Sequence, residues 1–254
     1  MSDKRKSAMH TTDTVNTYRK TAIAVGGLFI FAIVMLFVGE AFYKPILDSQ
    51  EYLENVYPNR VAVMMGVLIE FTVVPAVVLL SVLLFPVLKK HNEAFALGYV
   101  SLRLLDVAIL SLAYVNTLSF INLSQNYLNS DGADVAYFQL IGESIRAVNT
   151  WAGTTGLLYL VVFALGSLIL YAALYRSKLV PRFISVFGFS AGLLLLSGSV
   201  LAHAELFADL SGTGIEVIFA APIALAELLL SLWLIFKGFD LTNVDEARNS
   251  VRSH

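Results

Sequence analysis

Four ionisable side chains lie inside long apolar runs of this sequence, and that placement governs what they could do: Glu70, Arg103, Asp106 and Glu227. A charge at bilayer depth is expensive, so such groups face the protein interior and pair with one another. At about 1.5 Å of helix rise per residue, Arg103 lies roughly 12 Å from its basic helix end, Glu227 roughly 13 Å and Asp106 roughly 16 Å. The depths agree, and Arg103 and Asp106, three residues apart, share a helix face. The sequence therefore predicts a buried Arg103–Asp106–Glu227 ion-pair network. It would serve as a charge clamp between two segments or as a proton or ion path. Glu70 has no cation at its level. It reads either as a neutral acid hydrogen-bonded to a neighbour such as Asn116 or Tyr114, or as a proton acceptor or ligand contact in a cavity.

Other chemistries find little support. His203 and Glu205 end one apolar run, and Glu40 ends another at similar depth. A catalytic zinc site usually takes three protein ligands and commonly more than one histidine, whereas His10, His91 and His254 fall at the opposite side. His203 is therefore read as an interfacial side chain, and no metal or cofactor is expected. With no cysteine in the chain, disulfides, thiolate metal sites and cysteine nucleophiles are excluded. Phosphate-binding glycine loops and HExxH are absent, and no hydroxyl–histidine–acid set recurs at one depth. No catalytic residue is assigned.

The elements that position these groups are membrane spans. Hydrophobic residues make up 57% of the 254 and charged residues 14%, with a mean hydropathy of +0.75. Soluble domains carry about 25% charged residues. Crossing a bilayer takes about 20 apolar residues in a helix. Six segments meet that, approximately Thr21–Tyr43, Val61–Leu88, Phe95–Leu123, Trp151–Leu174, Phe183–His203 and Ile215–Phe236. The expected fold is an all-α integral membrane bundle of six spans over residues 21–239, between an N-terminal tail (1–20) and a C-terminal tail (240–254). A net charge of −2 offers no basic face for nucleic acid.

Loop charge sets the expected orientation. Thirteen Lys and Arg residues, among them Lys4, Arg5, Lys6, Arg19, Lys89, Lys90, Arg176, Arg182, Lys237, Arg248 and Arg252, fall on one side; Lys44, Arg60 and Arg146 fall on the other. By the positive-inside rule both termini are cytoplasmic, in a cell (inner) membrane. The opposite loops are acidic, with Asp48, Glu51, Glu54, Asp131, Asp134, Glu205, Asp209 and Glu216. Two of them carry helical periodicity. Ile46, Leu53, Val56 and Tyr57 recur within 45–57, and Val135, Phe138, Ile141, Ile145 and Val148 within 135–148, the latter opposite Asp134, Glu143 and Arg146. Both are expected to be amphipathic extracytoplasmic helices that cap the bundle or gate it. Pro75 and Pro222 predict kinks. Gly188 and Gly192 form a GxxxG pair suited to close helix packing, and Trp151 and Trp233 are expected to anchor span ends at the interface.

The stretches Phe85–Asp106 (FPVLKKHNEAFALGYVSLRLLD), Leu179–Gly192 (LVPRFISVFGFSAG) and Pro222–Phe239 (PIALAELLLSLWLIFKGF) resemble the bacterial membrane-protein family catalogued as domain of unknown function 4386. The resemblance implies a bacterial inner-membrane helical bundle and no particular activity. It draws notice to the turn Lys89–Glu93, which could cap two helices or simply be a solvated loop. The functional reading from sequence is a binding protein for a lipid or lipid-like small amphiphile. Its outward-facing cavity would be bounded by Glu70, Asn116, His203, Glu143 and the 135–148 helix. Two alternatives stand beside it: a proton-coupled small-solute transporter, and an accessory or structural subunit. In the latter the Gly188/Gly192 face would meet a second copy or another membrane protein.

Overall fold

The computed structural model describes residues 2–130, 134–204 and 215–240, with the side chains of 2–15 and 215–217 left aside. Asp131, Glu205, Asp209, Arg248 and Arg252, and the side chains of Lys4, Arg5, Lys6, His10 and Glu216, fall outside the described residues. Helices account for nearly all of what is described: α1 (Ser2–Leu47), α2 (Tyr52–Asn55), α3 (Arg60–Phe71), α4 (Val73–Lys89), α5 (Glu93–Asn129), α6 (Val135–Ala152), α7 (Leu157–Ser177), α8 (Arg182–His203) and α9 (Ile215–Phe236). Six helical stretches among them are long and apolar enough to cross a membrane. Phe37, Leu68, Val115 and Phe236 are more than half exposed, which places apolar side chains on the outside as a lipid-facing surface requires. The protein is a multi-pass membrane protein.

The spans form a ring in sequence order. α1 packs on α3 and α4, α4 on α5, α5 on α7, α7 on α8, α8 on α9, and α9 closes on α1. The ring end where α1 begins and α9 finishes is called here the terminal end; α6 lies at the other. α1 continues helically through the polar stretch read as an N-terminal tail. Span two breaks at Thr72, where the hydroxyl donates to the carbonyl of Ile69 at 2.6 Å. Pro75, three residues on, cannot donate to the carbonyl of Phe71, and the ladder is interrupted there. The stretch 45–57 is divided: Pro45–Leu47 finish α1, and Tyr52–Asn55 make a single separate turn. Span four begins at Leu157 rather than Trp151, because Gly153 and Gly156 adopt extended backbone (ψ 179° and 144°) and separate α6 from α7.

Small residues set the spacing around the ring. A methyl group added at Gly39 would overlap the Glu70 side chain and lie 2.7 Å from the carbonyl oxygen of Gly66, so α1 and α3 cross backbone to backbone. At Gly188 an added methyl would overlap the ring of Tyr171, and at Gly192 it would lie 3.2 Å from Leu168. The GxxxG face of α8 is thus filled by α7 of the same chain, a correction to the expectation that it meets a partner. At the terminal end Arg19 donates to the carbonyls of Leu234 (3.3 Å), Ile235 (2.7 Å) and Phe236 (3.1 Å), satisfying the last turn of α9 and closing the ring. Asn92 caps α5 by accepting from the Phe95 N–H at 3.0 Å, and Lys89 pairs with Glu93 at 2.8 Å, so the Lys89–Glu93 turn is a cap as well as a basic loop. Trp233 packs against the main core with its indole nitrogen buried, a different position from the interfacial one expected. Gly188→Leu is expected to destabilise the protein by about 1–3 kcal/mol through overpacking, read as a lower melting temperature in detergent with an unchanged oligomeric state.

Candidate functional site

The ring leaves an axial space, and Arg103 crosses it. α5 and α9 are not neighbours in the ring, yet the guanidinium of Arg103 reaches from one to the other. Its Nη1 donates to Asp106 Oδ2 at 3.0 Å, Nη2 to Glu227 Oε1 at 3.2 Å and Nε to the Tyr99 hydroxyl at 3.3 Å. The Phe163 ring of α7 lies against the cation, 4.6 Å from centroid to guanidinium carbon. All three charged residues are buried. Such a cluster is strongly destabilised when one member is removed, since the others are left charged and unpaired in a low dielectric. Here two carboxylates face one guanidinium, and Asp106 Oδ1 is buried without a hydrogen-bond partner.

On the terminal side of this bridge the axis is filled by Tyr99 and Tyr171, both with no solvent exposure. On the α6 side it is open. A cavity of about 270 Å³ is lined by Arg103, Asp106 and Glu227 at its floor, by Phe29, Leu36, Val77, Leu110, Phe163, Leu195 and Ile223 on its walls, and by Glu40, Thr154 and Thr155 above. An apolar cavity of roughly 150 Å³ already takes up benzene. Phe37 also lines it while 68% exposed, and so stands at the cavity's edge. Helices α1 and α9 touch tightly toward the terminal end, where a methyl on Gly26 would lie 2.7 Å from the Ser231 carbonyl oxygen. Further toward α6, Ile33 and Phe37 on α1 line the cavity together with Ala220 and Ala224 on α9.

A second, polar cavity of about 330 Å³ lies under α6, lined among others by Glu40, Lys44, Asp48, Tyr114, Arg146, Asn149 and Thr154. Glu40, Leu110, Thr154 and Thr155 belong to both. The partition is a hydrogen bond, Thr154 Oγ1 donating to Glu40 Oε1 at 2.9 Å, while the other Glu40 oxygen lies 3.7 Å from Lys44 Nζ. Thr154 and Thr155 sit in the Gly153–Gly156 break, where the backbone is neither α6 nor α7. Irregular backbone at such depth is tolerated where it lines a cavity.

The walls differ from those expected. Glu70 lines neither cavity. It is fully buried against Gly39, its Oε2 accepts from the Tyr43 hydroxyl at 3.1 Å, and Oε1 has no partner. Tyr43 and Tyr114 stand between it and the polar cavity, so the expected ligand contact at Glu70 is withdrawn. Asn116 is turned to α6, donating to the Ile145 carbonyl at 2.8 Å and to Asn149 Oδ1 at 2.9 Å, and makes no bond to Glu70. The ring nitrogens of His203 lie 2.9 Å from the Ser199 carbonyl and 3.3 Å from that of Thr150, and the ring rests on Trp151. That residue ties the end of α8 to α6. Glu143 is exposed on α6. Of the residues that replace them, Thr154 and Arg146 were not read as site residues from the sequence, and Glu40 was weighed there only beside His203 as a metal ligand. Arg146 appeared on the polar side of α6, but it turns inward, donates to the Leu47 carbonyl and stacks on Tyr52 at 4.4 Å. The sequence signal for Thr154 was Gly-Thr-Thr-Gly, a polar break at the head of an apolar run.

The family model described as Domain of unknown function (DUF4386) matches residues 24–238. The chain belongs to the DUF4386 family. Every residue named above as lining either cavity falls within the matched stretch, so the charge bridge and the cavities are features of the DUF4386 domain and not of the tails. Comparison with curated proteins and with solved structures returned no match. For the charge bridge, Arg103→Met should cost about 3–5 kcal/mol, and the combined Arg103→Met/Glu227→Leu variant should recover the share due to an unpaired Glu227, Asp106 still lacking its cation. A double-mutant cycle on detergent melting checks this, and additive effects would mean that the two residues do not act as a pair.

Proposed function

We propose that this DUF4386 protein binds a lipid or small amphiphilic molecule in the cavity between the charge bridge and the Glu40–Thr154 partition. One observation carries the reading. Apolar walls drawn from spans one, two, three, four, five and six converge on a floor that bears Arg103, Asp106 and Glu227, with one carboxylate oxygen unsatisfied. Binding sites combine largely apolar lining with a few placed polar groups, whereas a purely structural clamp needs no adjoining space. Phe37, exposed at the edge of the cavity, marks a route for such a molecule from the hydrocarbon region. The polar cavity beneath α6 gives its headgroup an aqueous route. On this reading the basic terminal end faces the cytoplasm and α6 lies at the outer surface of the cell membrane, as the loop charges require.

Two measurements test this. Extraction into nanodiscs followed by native mass spectrometry should find a discrete adduct on the wild type and none on Ala224→Phe, which fills the cavity from α9. A clean protein mass for both would count against a resident ligand. For orientation, the absence of native cysteine makes single substitutions informative. A membrane-impermeant maleimide applied to intact spheroplasts should label Ser144→Cys on α6 and leave His91→Cys unlabelled until the membrane is permeabilised. The reverse pattern would invert the topology.

A further inference from the structure

The cavity floor has a definite charge preference, and this inference rests on the cavity being a binding site. Around it, α5 contributes Arg103 and Asp106, α9 contributes Glu227, α1 contributes Glu40 and α7 contributes the phenol of Tyr159, while the lining residues of α4 and α8 are aliphatic. Arg103 is the one cation among these, and three of its five N–H groups already donate, to Tyr99, Asp106 and Glu227. An anionic headgroup arriving at the floor would find that guanidinium shared by two carboxylates and would meet their negative charge at short range. A cation would find the opposite. Asp106 lines the cavity, is 1% exposed, and gives one oxygen to Arg103 while the other meets no side-chain donor. A buried carboxylate oxygen without a donor loses the hydrogen bonds it had in water, a penalty that a ligand N–H removes. With both carboxylates ionised the buried cluster is one positive charge short of balance, and a charge in low dielectric is retained when it is paired.

The aromatic lining agrees. Phe29, Phe37 and Tyr159 join Phe163 around the space, and ring faces attract ammonium groups. Multivalent metal ions fit poorly. Calcium takes six to eight oxygen ligands and magnesium demands an octahedral set, while here the floor has two carboxylates already sharing Arg103, within apolar walls. Depth favours a molecule with a tail, since the walls above the floor are apolar as far as the Glu40–Thr154 bond.

We propose that the cavity selects an amphiphile with a protonated amine, its N–H groups on Asp106, beside Glu227, and its apolar body along the α1, α5 and α9 walls. Glu40 at the partition is the carboxylate such a cation would meet first on entering from the polar cavity, where it is shared with Lys44 and Thr154. Recognition would then run from one carboxylate to the next along the axis.

The test uses the full-length protein in zwitterionic nanodiscs and three probes of one chain length: octylamine, octanol and octanoate. Dissociation constants come from native mass spectrometry titration of wild type, Asp106→Asn, Glu227→Gln and Ala224→Phe. The expected result is octylamine binding about tenfold or more tightly than octanol, the span of a charge-assisted hydrogen bond, with octanoate weakest. Asp106→Asn should bring octylamine to the level of octanol. Equal binding of octylamine and octanol to the wild type, with both lost in Ala224→Phe, would overturn the amine assignment while leaving an amphiphile cavity. A preference for octylamine that survives in both Asp106→Asn and Glu227→Gln would overturn the role of these carboxylates. Uptake of all three probes that is indifferent to Ala224→Phe would overturn the cavity reading itself. The wild-type order of the probes decides the amine question even if a carboxylate variant does not fold.

Discussion

A guanidinium held in the interior of a membrane protein constrains everything around it. Arg103 cannot be exposed to hydrocarbon and does not lose its proton, so its environment must supply counter-charge and hydrogen-bond acceptors. Asp106 supplies them from the same helix, but Glu227 does so from a helix on the far side of the ring. Spans three and six are therefore coupled across the axis by side chains and not by helix packing, and the distance between them is set by the reach of two side chains. That separation leaves room on the axis. On one side of the bridge Tyr99 and Tyr171 occupy it, and on the other it remains a cavity.

The ring itself depends on close approaches at its joints. Lipid tails are as apolar as the side chains, so burial alone gives little drive for helices to associate in a bilayer; contact between small residues and interhelical hydrogen bonds do more. Gly39 against Gly66, Gly26 against Ser231, and Gly188 against Tyr171 bring helices together at three joints. Arg19 adds an interhelical bond set at the last joint, between the first and sixth spans. The same two helices that close the ring at Gly26 and Arg19 also line the cavity further along, through Ile33 and Phe37 on one and Ala220 and Ala224 on the other.

Much of this was legible in the residues, and the reason differs from case to case. The spans were legible because length and hydropathy are local quantities and a bilayer is a fixed thickness. Arg103, Asp106 and Glu227 could be named as one group because helix rise converts sequence position into depth. Glu70 was misjudged as a ligand contact on the same logic, since depth says nothing about which way a side chain turns around the helix axis. It turns toward Gly39, and only the α1–α3 crossing decides that. His203 and Asn116 stand at the right level for a cavity but spend their hydrogen bonds on α6. Arg146 lies among polar neighbours in sequence and among aromatic rings in space.

By itself, then, the sequence determined the number of spans, an irregularity at Pro75, the amphipathic character of α6 and the depth of each intramembrane charge. Each follows from composition, periodicity or rise along a single helix. Tertiary structure alone decided that the spans close into a ring, that the Gly188 face is filled from within the chain, and that the cavity belongs to Asp106, Glu227, Glu40 and Thr154. Rotation of a helix about its axis and the choice of its neighbours depend on the packing of all the spans at once, and no local pattern encodes them.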